Sequence, residues 1–251
     1  MKKALVVVSK IINKKTLNYY STLLPNETIY FVSPEEIPNK EEFSNIIFKN
    51  DNFFLKRKDY LLIDKTPRPN WYYQQFLKYA IVLKLGYDIV HIVDGDSFIK
   101  KEIIFSDKIY YSNKIIENKY NVLIEHLMNK KSFSNRNYIT NQMCFEYKYL
   151  FSLIQNIGFN EQSWVNGFCE LLIDNEEFWF SEYQLYANYV LQNKSLKENT
   201  IKVFRRFDLI SDSLNNGFNN YDILATEPQH KTSLLRKLRA KLLYQFKLNF
   251  G

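Results

Sequence analysis

Short apolar runs alternate along this chain with longer segments in which apolar residues recur every three or four positions. The runs KALVVV at 3–8 and TIYFV at 28–32 are rich in β-branched and aromatic residues, and the polar segment between them suits a helix. This order predicts a βαβ unit with two parallel strands. A further strand is predicted for DYLLID at 59–64.

The strongest helical pattern is WYYQQFLKYAIVLKL, at 71–85. Its apolar residues keep i, i+4 spacing, Asn70 can cap its amino end, and Gly86 can end it. The next segment, DIVHIVD at 88–94, predicts a central parallel strand that is buried on both faces.

The second half of the chain predicts shorter elements. Strands are predicted at 108–112, 137–145, 201–207 and 221–227, and helices at 115–129, 146–156, 161–173 and 181–192. No repeat or linker divides the chain, and 251 residues suffice for one domain with a sizeable core. We therefore expect one α/β domain over 1–230, with a Rossmann-like, mixed and mainly parallel sheet flanked by helices.

The tail at 231–251 has a pattern of its own. Leu234, Leu238, Leu242 and Phe246 recur every four residues among lysines and arginines, which predicts a basic amphipathic helix. Such a helix either packs its leucines on the domain or attaches to the anionic inner face of a membrane, where each basic residue contributes about 1 kcal/mol.

Composition and charge narrow the class of protein. The chain is 46% hydrophobic with six glycines and six prolines, which excludes a disordered chain. Much of its net charge of +7 lies in the tail, and this distribution argues against a nucleic-acid-binding protein. Cys144 and Cys169 lack metal-site spacing and favour buried, reduced thiols. No segment reaches the ~18 apolar residues of a membrane span. We therefore expect a cytoplasmic protein, peripheral at the inner face of the plasma membrane if the tail attaches there.

The stretch IVHIVDGDSFI places two carboxylates, Asp94 and Asp96, at the end of the predicted central strand. Ligands of open α/β sheets bind beyond the carboxyl ends of the strands. In an extended segment both side chains point to the same side, and Gly95 permits close approach of a ligand. Such a pair favours Mg²⁺ or Mn²⁺, which can bridge to a diphosphate. The alternative is an Asp-Gly turn whose carboxylates cap loop amides.

This strand and its DGD triplet, preceded by a helix that carries Gln74, Gln75 and Lys78, resemble the DxD site of nucleotide-sugar glycosyltransferases with the GT-A fold. More narrowly, RPNWYYQQFLKYAIVL, YDIVHIVDGDSFI, YITNQMCF and WFSEYQLYANYV, in this order, resemble the DUF6492 family of bacterial GT-A-like proteins found among polysaccharide biosynthesis enzymes. The resemblance covers about residues 59 to 192. It implies a GT-A-like fold and a transferase that moves a sugar from a nucleotide-diphosphate donor to a glycan or lipid-linked acceptor in surface polysaccharide synthesis, such as that of lipopolysaccharide.

The resemblance also implies a metal site. Asp96 would be the principal ligand of Mn²⁺ or Mg²⁺, and Asp94 would contact the ribose, or the metal through water. His230, in the late loop EPQH, would be the last metal ligand, since neutral imidazole suits Mn²⁺. His91 and His126 lie within strand and helix patterns and are predicted to be structural.

Donor-binding roles are implied at five further positions. Arg68, Gln75 and Lys78 would bind the diphosphate or position the aspartates, although a lysine on an amphipathic helix is more often solvated. Val8 and Ser9 end the first strand, where the nucleotide base lies in this fold.

Acceptor-binding roles are implied for Asn141 and Glu182. Asn141 would line the acceptor or donor pocket, with a turn asparagine as the alternative. Glu182 follows Ser181 at a predicted helix start, where the helix dipole alone explains a glutamate. As general base, Glu182 would deprotonate the acceptor hydroxyl and favour inversion of the anomeric centre, although a retaining course stays open.

Two other functions compete with sugar transfer. A non-catalytic protein that binds RNA or a membrane surface would use the basic tail and the many tyrosines, but no RNP-like or KH-like motif supports it. A metal-dependent phosphoryl-transfer enzyme would use the same aspartates, but the chain lacks a P-loop.

Overall fold

The structure is a computed structural model, and it describes residues 1–35, 43–132, 134–160, 163–205, 207, 213–226, 238–239 and 241–245. The described strands are β1 (Lys3–Val8), β2 (Ile29–Ser33), β3 (Ile46–Asn50), β4 (Ile89–Asp94), β5 (Ser97–Ile99), β6 (Ile109–Ile115), β7 (Arg136–Asn137), β8 (Gln142–Glu146), β9 (Glu198–Thr200), β10 (Val203–Arg205) and β11 (Ile223–Ala225). The described α-helices are α1 (Lys14–Leu23), α2 (Pro69–Leu85), α3 (Asn118–Met128), α4 (Tyr147–Asn156), α5 (Trp164–Asp174), α6 (Glu182–Asn193) and α7 (Leu214–Asn220).

The main sheet has five strands in the order β3-β2-β1-β4-β8. The first four are parallel, and β8 runs antiparallel to β4. This confirms the predicted α/β class with a mixed, mainly parallel sheet. The central strand β4 is parallel to β1 on one side only, which corrects the expectation of a wholly parallel setting.

Alternating side chains bury both faces of the main sheet. Val6 and Val8 of β1 face a core built with α2 to α6, whereas Leu5 and Val7 face a second core built with α1. In a strand, successive side chains point to opposite faces, so an unbroken apolar run such as LVVV is what a doubly covered strand needs. The sheet is thus flanked by helices, as predicted.

Helix α2 supplies one wall of the candidate functional site. It begins at Pro69, with Arg68 rather than Asn70 in the capping position, because proline suits the first helical turn, where no backbone donor is needed. It ends at Gly86, whose φ of 71° is the left-handed conformation predicted for a helix stop.

Two predicted strands differ in the structure. The segment DYLLID forms a 3₁₀ helix at Leu61–Lys65, because its backbone hydrogen bonds stay local, as from Thr66 N–H to Ile63 O. The predicted strand 137–145 is divided into β7 and β8 by Asn141, whose φ is 65°. Sequence analysis did not identify β3, which forms the sheet edge instead.

Two small sheets, β10-β11-β5 and β7-β6-β9, complete the described fold. They are built from strands far apart in the chain: β11 pairs with β5 in antiparallel register, with Ala225 opposite Ser97. The segment that follows the DGD triplet is therefore tied to the carboxyl-terminal part of the chain.

Most of the predicted tail helix and the predicted boundary at residue 230 lie outside the described residues. Within 241–245, Tyr244 is buried against Phe204, with ring centroids 5.1 Å apart, whereas Leu242 is 65% exposed. The tail therefore contacts the domain through Tyr244, while a leucine of the predicted apolar stripe faces solvent. Among the described residues, no helix has the length and apolar character needed to cross a membrane.

His91 and the two cysteines lie outside the candidate functional site, among packed side chains. His91 is fully buried in β4, and its Nδ1 accepts the N–H of Phe105 at 3.1 Å. Burial lowers the pKa of His91 to about 3. Cys144 and Cys169 are free thiols, as predicted, and burial raises the pKa of each to about 12.

Candidate functional site

The DGD triplet is a turn beyond the carboxyl ends of β1 and β4. The Asp94 N–H donates to Asn141 O at 2.9 Å, and the Gly95 N–H donates to Val8 O at 2.8 Å. On the far side, the Thr16 hydroxyl of α1 donates to Gly95 O at 3.1 Å. The sequence suggested an extended triplet, but residues 95–96 form a turn. The backbone of the triplet is held by hydrogen bonds from three directions.

Gly95 is required by the packing of the two strand ends. A Cβ atom at this position would lie 2.2 Å from Ser9 Cβ and 3.0 Å from Ser9 Cα. Close approach of β1 therefore requires a glycine at this position, independently of the predicted close approach of a ligand.

Both aspartates open into a cleft of about 530 Å³, here called the central cleft. Its lining comes from the end of β1, the start of α1, α2 and the DGD turn: Val8, Ser9, Lys10, Ile11, Ile12, Asn13, Lys14, Trp71, Gln74, Gln75, Lys78, Asp94, Gly95 and Asp96. Three lysines thus share the cleft with two carboxylates. This combination suits a ligand with several negative charges together with a cation.

Lys78 forms the electrostatic centre of the wall. Its Nζ lies 2.6 Å from Asp94 Oδ1 and 2.7 Å from Glu182 Oε1, and only 6% of its side chain is exposed. Burial alone would lower the pKa of Lys78, but the carboxylates of Asp94 and Glu182 outweigh it and raise this pKa well above its usual value. Lys78 is therefore a permanent cation that fixes the position of Asp94.

Glu182 lies behind Lys78 rather than in the cleft. It opens α6 after the Ser181 cap, as predicted, but its side chain is fully buried. Burial raises the pKa of Glu182, and the Lys78 ammonium opposes that shift. A general base must reach the acceptor hydroxyl within hydrogen-bond distance. In this structure Glu182 offers no surface to an acceptor, and its contacts support a role in positioning Lys78.

Asp96 is the second carboxylate of the cleft. Its Oδ1 accepts a hydrogen bond from the Ser97 hydroxyl at 3.0 Å, and its backbone O accepts the Thr226 N–H at 2.7 Å. Burial and the neighbouring Asp94 carboxylate raise the pKa of Asp96 to about 6. Burial is the larger cause and repulsion from Asp94 adds to it, and a divalent cation bound at the pair would offset both.

Asp94 and Asp96 fit a divalent cation whose remaining coordination positions are filled by a substrate and water. Among the described residues, no group of three or more His, Cys, Asp and Glu side chains could hold a metal. Mg²⁺ commonly binds one or two carboxylates together with substrate phosphates and water. Asp94 and Asp96 match that arrangement, whereas His230, the predicted last ligand, lies outside the described residues.

A second cavity adjoins the central cleft over the ends of β1, β2 and β3. This β2–β3 cavity of about 370 Å³ shares Val8, Ser9, Lys10 and Gln74 with the central cleft. Asp51 lies in its wall with 6% exposure. Its Oδ2 accepts the Tyr73 hydroxyl at 3.0 Å, but its buried Oδ1 has no hydrogen-bond partner among the described residues. An unpaired buried acceptor costs free energy, and because this oxygen has almost no exposed surface, a ligand in the cavity does not reach it in this structure.

The remaining predicted site residues divide into two groups. Val8, Ser9, Gln75, Lys78, Asp94 and Asp96 line the central cleft together. Arg68 and Asn141 do not line it. The Arg68 guanidinium lies over the Trp71 and Trp179 rings, at 4.3 and 5.5 Å from their centroids. Asn141 lies beside the cleft and contacts Asp94 through its backbone carbonyl.

Some lining residues were missed by sequence reasoning. Sequence analysis assigns no role to Trp71, which lines the central cleft. Asp51 opens a short 3₁₀ helix directly after β3, a strand that was not predicted. A search for acidic residues just after strand-like runs such as IIFKN would have found Asp51.

Comparisons with known proteins give distant likenesses only. No protein-family model and no curated protein matches the chain, so the resemblance to DUF6492 stays a prediction. A structure named as a glucose-1-phosphate thymidylyltransferase from Bacillus anthracis, in complex with sucrose, has 8% identity and a TM-score of 0.42, covering 80% of this chain and 87% of its own. The apo-form glycosyltransferase GlyE from Streptococcus pneumoniae TIGR4 has 13% identity and a TM-score of 0.44, covering 99% of this chain and 62% of its own. Neither likeness assigns a family or a reaction to this chain.

Proposed function

We propose that the protein is a metal-dependent glycosyltransferase that uses a nucleotide-sugar donor. The single observation that carries the proposal is the DGD turn, which presents Asp94 and Asp96 in a 530 Å³ cleft at the carboxyl ends of two parallel strands. This is the edge at which open α/β sheets bind their ligands. The acceptor is a glycan or a lipid-linked saccharide of a surface polysaccharide.

The cleft and its neighbouring cavity together match the two parts of a nucleoside diphosphate. Lys10, Lys14 and Lys78 provide positive charge around the central cleft, where the diphosphate lies. The β2–β3 cavity receives the nucleoside. Its polar lining, which includes Asn52, Asn70 and Gln74, supplies hydrogen-bond donors and acceptors for the base or the ribose.

In the proposed reaction, the bond from the sugar C1 to the diphosphate oxygen breaks, a bond from C1 to the acceptor oxygen forms, and the proton of the acceptor hydroxyl passes to the departing diphosphate. Asp96, with Asp94 beside it, would hold Mg²⁺ or Mn²⁺, and the bound ion would supply positive charge against the departing diphosphate. Lys78 holds Asp94 in place, and Glu182 holds Lys78. The expectation of inversion depended on Glu182 as the base, and its burial removes that support.

The proposal is tested by thermal unfolding with a panel of nucleoside diphosphates and nucleotide sugars, each with Mn²⁺ and with chelator. A ligand that binds only the native state raises the melting temperature by mass action. We expect one nucleotide class to give a metal-dependent shift, which Asp96→Ala abolishes together with sugar transfer.

The matched control is Asp107→Asn, which changes an exposed carboxylate outside the cleft and should leave the shift intact. A shift that needs no metal, or that survives Asp96→Ala, would contradict the assignment of the DGD turn. A protein that shows no shift with any nucleotide would not be a nucleotide-sugar transferase.

A further inference from the structure

A third cavity lies on the other side of the DGD turn, away from the β2–β3 cavity. This β6 cavity of about 240 Å³ is lined by Ser112, Lys114, Ile115, Ile116, Glu117, Tyr120, Asn137, Ile139, Val203 and Arg205. It shares no lining residue with the central cleft, but the two walls are neighbours: the Tyr120 ring lies 6.4 Å from the ring of Trp71, which lines the central cleft.

Arg205 connects this cavity to the acidic turn. It ends β10, where it lies opposite Ala225 of β11, and Ala225 lies opposite Ser97 of β5. This row of three residues ends at the residue after Asp96, and Arg205 also contacts Asn141, whose backbone carbonyl accepts the Asp94 N–H. These contacts place Arg205 close to the proposed reaction centre.

The charge of Arg205 is not neutralised by the part of the protein that the structure describes. Its Nη2 donates to the neutral amide oxygen of Asn141 at 3.4 Å, and no described carboxylate lies within ion-pair distance of it. The side chain is exposed toward the cavity. An arginine in this state presents a planar fork of donors that suits a phosphate.

The Asn141 contact fixes the fork relative to the turn. Asn141 has a left-handed backbone, with φ of 65°, and its carbonyl accepts the Asp94 N–H at 2.9 Å while its side chain accepts from Arg205. A non-glycine residue in this conformation is uncommon, although asparagine tolerates it better than most. Asn141 thus connects the position of the DGD turn to the position of Arg205.

We propose that the β6 cavity is an acceptor subsite that binds a phosphate group carried by the acceptor, with Arg205 as its main contact. The lining includes two cationic side chains, Arg205 and Lys114, against one carboxylate, Glu117. Ser112 and Asn137 add neutral polar groups. This subsite rests on the proposed function, because it identifies the second substrate of the same reaction.

The test is a calorimetric titration of the full-length protein with glucose 6-phosphate, with glucose as the uncharged probe. We expect binding of the phosphate ester only. Arg205→Gln should weaken it by about tenfold or more, the usual loss for a charge-assisted hydrogen bond. The control Lys202→Gln removes a positive charge three residues earlier, outside the cavity, and should leave binding unchanged.

A second arm separates donor from acceptor. If Arg205 serves the acceptor, Arg205→Gln leaves the metal-dependent nucleotide shift intact, and glucose 6-phosphate binds in the presence of the nucleotide. Competition between the two ligands, or equal binding of glucose 6-phosphate by wild type and Arg205→Gln, would overturn the subsite. A missing nucleotide shift with intact, Arg205-dependent phosphate binding would contradict the proposed function and not the phosphate site.

A third arm identifies the source of the phosphate. Sedimentation with phosphatidic acid vesicles, compared between wild type and Arg205→Gln, reports a lipid phosphate. Arg205-dependent binding of glucose 6-phosphate without Arg205-dependent sedimentation indicates a phosphorylated glycan.

Discussion

The two sides of the DGD turn are built in different ways. On one side, the β2–β3 cavity lies over the ends of β1, β2 and β3, which have five or six residues each and are held by parallel ladders. On the other side, the β6 cavity is lined by the seven-residue β6 together with two short strands, β7 and β10, of two and three residues. Both cavities thus have a regular strand in their walls, but Arg205 of the second is placed by a short strand and by its single contact with Asn141.

The polarity of the two sides also differs. The wall of the β2–β3 cavity combines a carboxylate, Asp51, with the cationic Lys10 and Arg57, whereas the β6 cavity presents the exposed donor fork of Arg205. Under the two proposals above, the cavities take different substrates that meet at Asp94 and Asp96.

The strongest challenge to this two-sided arrangement is Lys78→Met, because Lys78 belongs to the wall between the two sides. Removing the ammonium leaves Glu182 buried without its counter-charge and frees Asp94. We expect a loss of about 3 to 5 kcal/mol in the free energy of unfolding, measured by urea denaturation.

The double variant Lys78→Met with Glu182→Leu should recover much of that free energy, since no unpaired buried charge remains. Nucleotide binding should stay impaired in the double variant. Full stability of Lys78→Met alone would mean that the ion pairs are not formed in solution.

Asp96→Asn sharpens the comparison through its dependence on pH. The pKa of Asp96 in the folded protein is about 6, above its ordinary value of 3.8, so the folded state holds this proton more tightly than the unfolded chain. The stabilisation from this group is therefore present below pH 3.8 and is lost as the pH rises through 6.

Because asparagine carries no such charge, we expect Asp96→Asn to exceed wild type in stability by about 2 kcal/mol at pH 7 and to match it near pH 4. Urea denaturation at both pH values checks this, with Asp107→Asn as the control. A lower stability of Asp96→Asn at pH 7 would contradict the raised pKa of Asp96, which burial and the neighbouring Asp94 carboxylate cause.

Asp51→Asn should act on one side only. The amide keeps an oxygen for Tyr73 but places an NH₂ group without a partner in the buried wall of the β2–β3 cavity, so nucleotide affinity should fall by about tenfold while glucose 6-phosphate affinity stays unchanged. Titration with the nucleotide and with glucose 6-phosphate measures both sides in the same protein. Equal weakening of both ligands would show that the two cavities are not independent.

The sequence predicts the regular half of the molecule well, for physical reasons. Runs such as KALVVV specify doubly buried strands, and the WYYQQFLKYAIVLKL pattern with Gly86 specifies α2 and its end. Since the carboxyl ends of parallel strands meet at one edge, Ser9 and Asp94 could be placed together without coordinates.

The irregular half could not be predicted in the same way. The strands predicted at 201–207 and 221–227 contain β10 and β11, but their pairing with β5, which aligns Arg205 with the residue after Asp96, is long-range, and no local pattern encodes it. The burial of Glu182 is equally invisible, because a serine and glutamate at a helix start look the same whether the helix end is exposed or covered.

The contact between Gly95 and Ser9 has a consequence for how relatives of this protein diverge. The two residues are 86 positions apart in the chain, yet a Cβ atom at 95 would overlap the side chain at 9. The two positions share one volume, so a larger residue at either one requires a smaller one at the other. In an alignment of relatives, positions 9 and 95 should therefore covary in size. A chain with bulky residues at both positions would have a differently shaped turn at residues 94–96.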